Sequence, residues 1–404
     1  MAQSMTGTRL QMRHMAVPAL RPLARTSVNV RPADDVAIAD YEALCRESIH
    51  APAQHPLWIR SWIMATGADV IIVTVERFGV PACALALEVV QEGPFRVARF
   101  VGGSHANGNF GAISRRSPTP LSTEEGVALG DAIRSARPDI DLVHLQRQNP
   151  SFQGVQNPLT ALATACSPNV ALAIDLSDGF EATLSRRNGK RKRKKYRHQV
   201  NKFSDAGGYR LIIANSPEET DRLLSAFFEM KAARLLEMGI ANVFEPVDVK
   251  AFFRLLFQSA IGENEPPFFL HGLEVGGRLA AVNGCSITAE SIVCDFGGII
   301  DDNSNASPGY FLDYHAIEYA AELGKPIFDF GVGDEPYKRS WCDIETWQFD
   351  TLIPLTAQGH VARLLEMSRA QAVRFIKSNH SLWSLVKQLR AKVAGSGKNP
   401  APQD

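Results

Sequence analysis

The sequence lacks the features of several common protein classes. Its 404 residues carry 43 basic and 43 acidic side chains, so no net charge draws the whole chain to nucleic acid or to a membrane surface. No apolar run reaches the roughly 18 residues that a membrane-spanning helix needs. We therefore expect a soluble, cytoplasmic protein without a membrane span, in which any attraction for a polyanion comes from a local patch.

The usual metal and nucleophile motifs are missing as well. The six cysteines include no Cys-x-x-Cys pair, and the ten histidines show no metal-ligating spacing, so no metal site is expected. There is no Gly-x-Ser-x-Gly elbow and no dinucleotide-binding glycine pattern. Cys342 has no histidine near it in sequence and is interpreted as a packing residue.

The length and the changes in composition predict two domains. The first 33 residues hold five arginines and no acid, which indicates a disordered basic arm over residues 1–34. The first domain is predicted over 35–170 and the second over 171–366. A C-terminal helix and a flexible tail are predicted over 367–404, where the chain ends in "GSGKNPAPQD".

Strand and helix patterns indicate a mixed α/β fold with largely antiparallel sheets. In the second half, two helices over 216–239 and 246–262 precede glycine-punctuated strands over 268–300, a helix from Ser307 to Gly324 and a further strand. A weaker copy of the strands, helix and return strand lies over 70–148. This repetition predicts an internal duplication, and the alternative is two unrelated α+β domains.

Two segments have the composition of anion-binding sites. Ten basic residues and no acid occupy positions 186–202 at helical spacing, including Lys194, Lys195 and Arg197. The sequence Ser307-Pro308-Gly309-Tyr310 begins a helix, whose first backbone N–H groups favour an anion. The alternatives are a solvated basic face and an ordinary capped helix.

The stretch "FDFGVGDEPYKRSW", residues 328–341, begins as a buried strand and ends in a cluster of polar groups. It brings Asp329, Asp334, Tyr337 and Lys338 within ten positions, and Gly331 and Gly333 let the chain turn back towards one cleft. A nearby strand ends in "VCDFGG", which contains Asp295. An alternative role for Asp329 is to cap the backbone of its own turn.

The basic run and the segments "SPGYFLDYHAIEYAAELG" and "FDFGVGDEPYKRSW" together resemble one family. They are similar to the CelD-type branch of the GNAT N-acyltransferases, relatives of the FemAB peptidoglycan aminoacyltransferases, and the similarity spans roughly residues 40–365. The resemblance implies tandem GNAT-like domains, each a central, mostly antiparallel sheet flanked by helices. GNAT proteins usually show Gly-x-Gly at this point, whereas this chain has a single glycine, Gly309, preceded by Pro308.

This resemblance implies acyl-CoA as co-substrate and an amine acceptor, either a small molecule or a glycan of the cell envelope or of an exopolysaccharide. Ser307, Gly309 and Tyr310 would hold the CoA pyrophosphate, with Lys194, Lys195 and Arg197 on other phosphates. In the catalytic set, Asp329 or Asp334 would be the general base, Asp295 a secondary base, Tyr337 the general acid, and Lys338 a partner for a carboxylate or phosphate.

Two other functions remain open at this point. One is a FemAB-like transfer from aminoacyl-tRNA, although no long heptad arm is visible in the sequence. The other is a non-catalytic GNAT-like module that binds a polyanion through the basic helix. The sequence leaves the oligomeric state undetermined.

Overall fold

The computed structural model describes residues 26–116, 118–300 and 306–379. The strands in these ranges are β1 (Thr26–Pro32), β2 (Ser48–Ile49), β3 (Val70–Arg77), β4 (Val80–Glu92), β5 (Phe95–Phe100), β6 (Ala112–Ser114), β7 (Leu142–Gln148), β8 (Ser151–Phe152), β9 (Val155–Gln156), β10 (Ala165–Asp175), β11 (Tyr209–Ile213), β12 (Phe268–Val275), β13 (Arg278–Ile287), β14 (Ser291–Ile299), β15 (Ile327–Val332) and β16 (Ile344–Pro354).

The helices of the same ranges flank this strand system. They are α1 (Asp35–Arg46), α2 (Pro56–Thr66), α3 (Thr123–Ala136), α4 (Phe180–Arg186), α5 (Gly189–Asp205), α6 (Pro217–Glu237), α7 (Val247–Ile261), α8 (Pro308–Glu322), α9 (Pro336–Arg339) and α10 (Ala357–Ser378). Local signals account for several starts. Ser122 and Glu125 form a reciprocal capping box at α3, and the Ser216 hydroxyl accepts the Glu219 N–H at α6.

One mixed sheet runs through the chain in the order β1-β3-β4-β5-β7-β16-β10-β15-β14-β13-β12-β11. In its N-terminal half, β3, β4 and β5 are antiparallel, α3 follows, and β7 returns parallel to β5. In its C-terminal half, β12, β13 and β14 are antiparallel, α8 follows, and β15 returns parallel to β14. The predicted mixed α/β fold, with largely antiparallel strands flanked by helices, is confirmed, and the strand order shared by the two halves supports the duplication.

The two halves exchange strands at the centre of the sheet. β10 follows the first half in sequence but pairs with β15, whereas β16 comes from the end of the second half and pairs with β7. β10 and β16 also pair with each other. The predicted boundary between residues 170 and 171 therefore falls inside β10, because a sequential division of the chain cannot separate two halves that share a strand pair.

The chain ends differ in part from the sequence-based expectation. Residues 26–32, assigned to the disordered arm, form β1 and pair antiparallel with β3 along their whole length. Residues 1–25 and the predicted flexible tail from 380 onwards lie outside the described residues. The C-terminal helix begins at Ala357, ten residues before the predicted segment at 367.

A shared aromatic core joins the two halves on one face of the sheet. Phe252 of α7 lies 4.9 Å from both Trp58 and Trp62 of α2, measured between ring centroids, at nearly perpendicular angles. The same core cluster contains Phe227 of α6 and Phe296 of β14. Edge-to-face packing of this kind adds to the hydrophobic gain. The halves are thus connected both by exchanged strands and by one core.

We expect replacement of Phe252 by Ala to destabilise both halves together. The side chain is 0% exposed, and such a truncation typically costs about 3–5 kcal/mol. Chemical denaturation followed by tryptophan fluorescence and by circular dichroism should show one transition shifted to lower denaturant. Val247→Ala, at a position 83% exposed on the same helix, serves as the control. Two separate transitions, only one of them shifted, would contradict the shared core.

Candidate functional site

The site begins where β14 and β15 separate. They pair in parallel only over Ser291–Val293 and Ile327–Asp329, after which the two strands diverge. At the same point, Gly284 of β13 lies opposite Phe296 and Cys285 lies opposite Cys294, which leaves Asp295 as an extra, unpaired residue of β14. Such a bulge bends a strand and interrupts its ladder. The bulge therefore places Asp295 at the opening between the two strands.

A cavity of about 1310 Å³ occupies this opening and reaches both faces of the sheet. Successive residues of β12 point to opposite faces of the sheet. Phe268 packs in a core with residues of α6 and α7, whereas Phe269 packs in a different core with residues of α8. Side chains of α6 and of α8 both line the cavity. A substrate can thus approach from one face and a second substrate from the other.

The start of α8 forms part of the cavity wall. Ser307, Gly309 and Tyr310 all line it, as the sequence predicted for an anion site. The Ser307 side chain makes no capping hydrogen bond, so the start of α8 is not the ordinary capped helix of the alternative interpretation. Its φ of −127° and ψ of 70° are not those of a usual N-cap. Its backbone N–H instead donates to Oε1 of Gln199 on α5 at 2.8 Å, so α5 holds this helix end in place.

The basic segment forms α5, which presents only one of its faces to the cavity. Arg191, Lys192 and Lys195 line it, at the spacing that brings side chains onto one helix face. Lys194 and Arg197 are exposed and point away from the cavity, so their predicted role in binding phosphate is not supported. The sequence showed a cationic helix, but not which of its faces is turned inwards.

Lys192 is a buried cation without a carboxylate partner among the described residues. Its Nζ donates to the Ser340 carbonyl at 2.6 Å and lies 4.0 Å from the ring centroid of Trp341. Burial, reinforced by the neighbouring Arg187 and Lys195, lowers the pKa of Lys192 to about 8. An anion bound here would interact with a positive charge that no acid neutralises. The anion would in turn stabilise the charged form of the lysine.

The cavity wall as a whole is strongly basic. Nine cationic side chains line it, namely Arg186, Arg187, Arg191, Lys192, Lys195, Lys231, Arg234, Lys338 and Arg339. Three acids line it, namely Asp295, Asp313 and Glu335. This imbalance favours a ligand with several negative charges, even though the whole chain is neutral.

The structure separates the acids that the sequence placed together. Asp334 is exposed and forms an ion pair with Arg339, and this hydrogen bond lowers the pKa of Asp334. It does not line the cavity, so its predicted role as general base is not supported. Asp329 lines a separate narrow crevice, and its Oδ1 accepts the Gly331 N–H at 2.6 Å, as in the alternative of a carboxylate that caps its own turn.

Lys338 has a carboxylate partner, as predicted, and is in addition bound to backbone carbonyls. Its side chain is buried, and Nζ donates to the carbonyls of Phe330 and Val332 at 3.0 and 2.9 Å. Glu335 Oε2 lies 3.4 Å away. Because these carbonyls belong to the end of β15, Lys338 fixes α9 against the diverging strand rather than reaching freely into the cavity.

Tyr337 of α9 lines the cavity at the predicted position. Its ring lies edge-on to that of Phe330 with centroids 5.8 Å apart. Burial, followed by the charge of Asp313, raises the pKa of the Tyr337 hydroxyl well above its usual value. The phenol therefore remains protonated at neutral pH and can act as a proton donor.

Asp295, a secondary candidate in the sequence, has the properties of a general base. It is partly buried in the cavity wall, and its Oδ2 is shielded from solvent and has no hydrogen-bond partner among the described residues. Burial raises its pKa to about 7, while the nearby Ser286 hydroxyl opposes this shift and the charge of Asp329 adds to it. A carboxylate that titrates near neutrality and has a free oxygen can accept a proton from a substrate.

Asp313 was missed by sequence reasoning. It lies on α8 four residues after Gly309, which was the available signal, because residues at that spacing share a helix face. Its Oδ1 accepts from Asn283 Nδ2 at 3.3 Å. Burial raises its pKa to about 7, against the hydrogen bond from Asn283 and the charge of Lys338.

The described ranges contain neither a candidate metal site nor a helix that could span a membrane. No group of three or more His, Cys, Asp or Glu side chains is arranged to hold a metal ion in residues 26–116, 118–300 and 306–379. In the same ranges, no helix has both the length and the apolar character needed to cross a membrane.

We expect the two faces of α5 to differ in their effect on anion binding. The double change Arg191→Gln and Lys195→Gln should weaken the binding of inorganic pyrophosphate by about tenfold, equivalent to roughly 1.4 kcal/mol, and should flatten its salt dependence. The matched double change Lys194→Gln and Arg197→Gln removes the same charge from the outer face and should have little effect. Isothermal titration at several salt concentrations measures both. Equal losses in the two variants would refute a cavity-specific site.

Comparison with known proteins gives one family match. Residues 190–339 match the family model described as "Acetyltransferase (GNAT) domain". This range contains α5, the two diverging strands and α8. A search of curated proteins gives no match.

Solved structures resemble this chain at low sequence identity, and two of them with TM-scores above 0.5 have a similar fold. FemX is 12% identical, with 84% of this chain and 100% of FemX covered and a TM-score of 0.57. A conserved protein of unknown function from Bacteroides thetaiotaomicron VPI-5482 is 12% identical, with 80% and 100% covered and a TM-score of 0.51. A tandem GNAT protein from the clavulanic acid biosynthesis pathway is 15% identical, with 82% and 99% covered and a TM-score of 0.46. Residues 190–339 of this chain therefore match the model of a GNAT acetyltransferase domain, and the whole described chain has a mixed α/β fold similar to that of FemX.

Proposed function

We propose that this protein is an acyl-CoA-dependent N-acyltransferase. The observation that carries the proposal is the cavity between β14 and β15, which joins a basic wall to a buried carboxylate and a phenol. In the reaction, the amine nitrogen of the acceptor attacks the thioester carbonyl carbon. The carbon–sulfur bond breaks, the amine proton passes to a base, and the thiolate leaves with a proton from an acid.

The basic wall suits the phosphates of CoA. Arg191, Lys192 and Lys195 lie on one face of α5, next to the first N–H groups of α8. Gly309 lies so close to β14 that an added Cβ would be 2.9 Å from Ile299 Cγ2. Glycine at this position therefore lets the start of α8 lie close to β14 at the cavity wall.

Asp295 is the proposed general base. Its carboxylate is ionised above pH 7, and its Oδ2 has no hydrogen-bond partner among the described residues. The bulge holds Asp295 in the cavity wall, where the strands open. Of the acids that line the cavity, Asp313 has a similar pKa, but its Oδ1 is engaged by Asn283. We therefore assign proton removal from the amine to Asp295.

Tyr337 is the proposed general acid. Its raised pKa keeps the hydroxyl protonated until the thiolate forms, and the neighbouring Asp313 strengthens this preference. Lys338 acts as a positioning residue, since its bonds to the Phe330 and Val332 carbonyls hold α9 beside the opening. These roles put the base on β14 and the acid on α9, the short helix that follows β15.

The finer assignment follows the family resemblance. We propose a CelD-type enzyme of the cytoplasm that acts on a glycan or small-molecule amine in cell-envelope or exopolysaccharide synthesis. The basic cavity would also suit the phosphates of an aminoacyl-tRNA.

A thermal-shift comparison of acetyl-CoA, longer acyl-CoAs, free CoA and total tRNA distinguishes the donors. A ligand at a hundred times its dissociation constant should stabilise the fold by roughly 2.7 kcal/mol. No shift with any CoA species would refute the proposal.

Replacement of Tyr337 by Phe tests the general acid. The change keeps the ring that contacts Phe330 and removes only the hydroxyl. Turnover should fall by about 10²- to 10⁴-fold, with acetyl-CoA affinity unchanged. Steady-state release of free CoA thiol measures the first quantity and calorimetry the second. Phe330→Leu, which alters the ring contact but keeps the hydroxyl, is the control. A near-normal rate in Tyr337→Phe would make the tyrosine structural.

The pH dependence of turnover tests the general base. Asp295 accepts a proton only when it is ionised, so turnover should rise with pH through about 7 and level off above. Asp295→Asn should abolish this limb and lower the plateau strongly. The wild-type carboxyl has a higher pKa in the folded than in the unfolded state, so its contribution to stability is lost as pH rises from about 4 through about 7.

This linkage supplies an internal control for the same variant. At pH 8 Asp295→Asn removes a buried charge, and its melting temperature should equal or exceed that of the wild type. A stable variant without turnover would support the base assignment. A stable variant that keeps the wild-type profile would transfer the role to another group, with Asp313 the next to test.

A further inference from the structure

The cations on α6 are not explained by the donor. Lys231 and Arg234 line the cavity from the face of the sheet opposite to α8, next to β14. The proposed donor phosphates lie against α5 and α8. If the thioester reaches the opening from that side, α6 borders the space that remains for the acceptor.

Lys231 carries a charge that no acid neutralises among the described residues. It is partly buried, and its Nζ donates to the Gly297 carbonyl at 3.3 Å. The charged and titratable groups that face it are Cys294, Glu335 and Lys338. Of these, Glu335 lies within ion-pair distance of Lys338 rather than of Lys231. Arg234, one helical turn further on, has Glu237 at 3.4 Å and is more than half exposed.

A cation that is removed from water without a paired acid favours an anion in the adjoining space. The acids at this opening, Asp295 and Glu335, would in turn favour a substrate ammonium. One acceptor satisfies both groups if it carries its amine and a negative charge together.

We propose that the acceptor is an amine bearing an acidic group, a phosphate or a carboxylate, and that Lys231 and Arg234 bind this group. The assignment rests on the proposed function, because it takes the donor to occupy the α5 and α8 side. Met230, which lines the same wall, gives the acceptor an apolar contact between the two charged ends.

Binding of matched amine pairs tests the proposal. The pairs are glucosamine and glucosamine 6-phosphate, ethanolamine and phosphoethanolamine, and lysinamide and lysine. Each is titrated calorimetrically into the full chain saturated with free CoA. In at least one pair the acidic member should bind about tenfold more tightly. The phosphate and carboxylate pairs show which acid is preferred. Equal binding in all three pairs, or no binding of any member, overturns the proposal.

Variants then locate the preference. Lys231→Gln and Arg234→Gln should each reduce it by about threefold or more, and together remove it. Arg222→Gln changes the same charge on α6 outside the cavity and should leave it intact. A preference that survives the double variant overturns the assignment to α6. If CoA fails to bind but the preference still depends on Lys231 and Arg234, the acyl-CoA proposal fails and the anion site stands.

Discussion

The separation of β14 from β15 is the constraint on which the site depends. The strands pair over three residues and then part, and the bulge at Asp295 bends β14 at this point, while its pairing with β13 continues from Phe296 to Ile299. The parting exposes polar backbone that a closed sheet would satisfy internally. A ligand between the strands would meet both the start of α8 and the end of β15. The acid, the base and the anion site therefore follow from one local failure of strand pairing.

The N-terminal half shows what happens when the same separation is filled. β5 and β7 also pair in parallel over a short length, at Val97 and Ala98. The following chain turns into the gap, where Asn109 bridges to Gln148 and Phe110 is fully buried. A pocket of this half, lined by residues of β1, α1 and β3, is smaller, at about 400 Å³. The N-terminal half instead supports the site, since Asn107 Nδ2 donates to the Asp295 carbonyl at 3.2 Å.

The site keeps charges in places that cost stability. Asp295 and Asp313 are buried acids with raised pKa values, and Lys192 and Lys231 are cations with lowered pKa values. Each shift reflects a charged form that is less stable here than in water. The exchanged strands and the shared aromatic core provide the rigidity that holds these groups in position. Ligands of opposite charge would relieve part of the cost, which couples binding to stability.

The sequence by itself determined many of the elements and their order, though not β1, because strand and helix periodicity and caps such as Ser122 are local properties. It also located the basic helix, the start of α8 and Tyr337. Only the tertiary structure decided which face of α5 is turned inwards, since Lys194 and Lys195 are adjacent in sequence and differ only in what packs beside them. The choice among the acids was likewise tertiary. Asp334 follows its strand into solvent, whereas strand pairing and helix packing bury Asp295 and Asp313, and burial sets their pKa values.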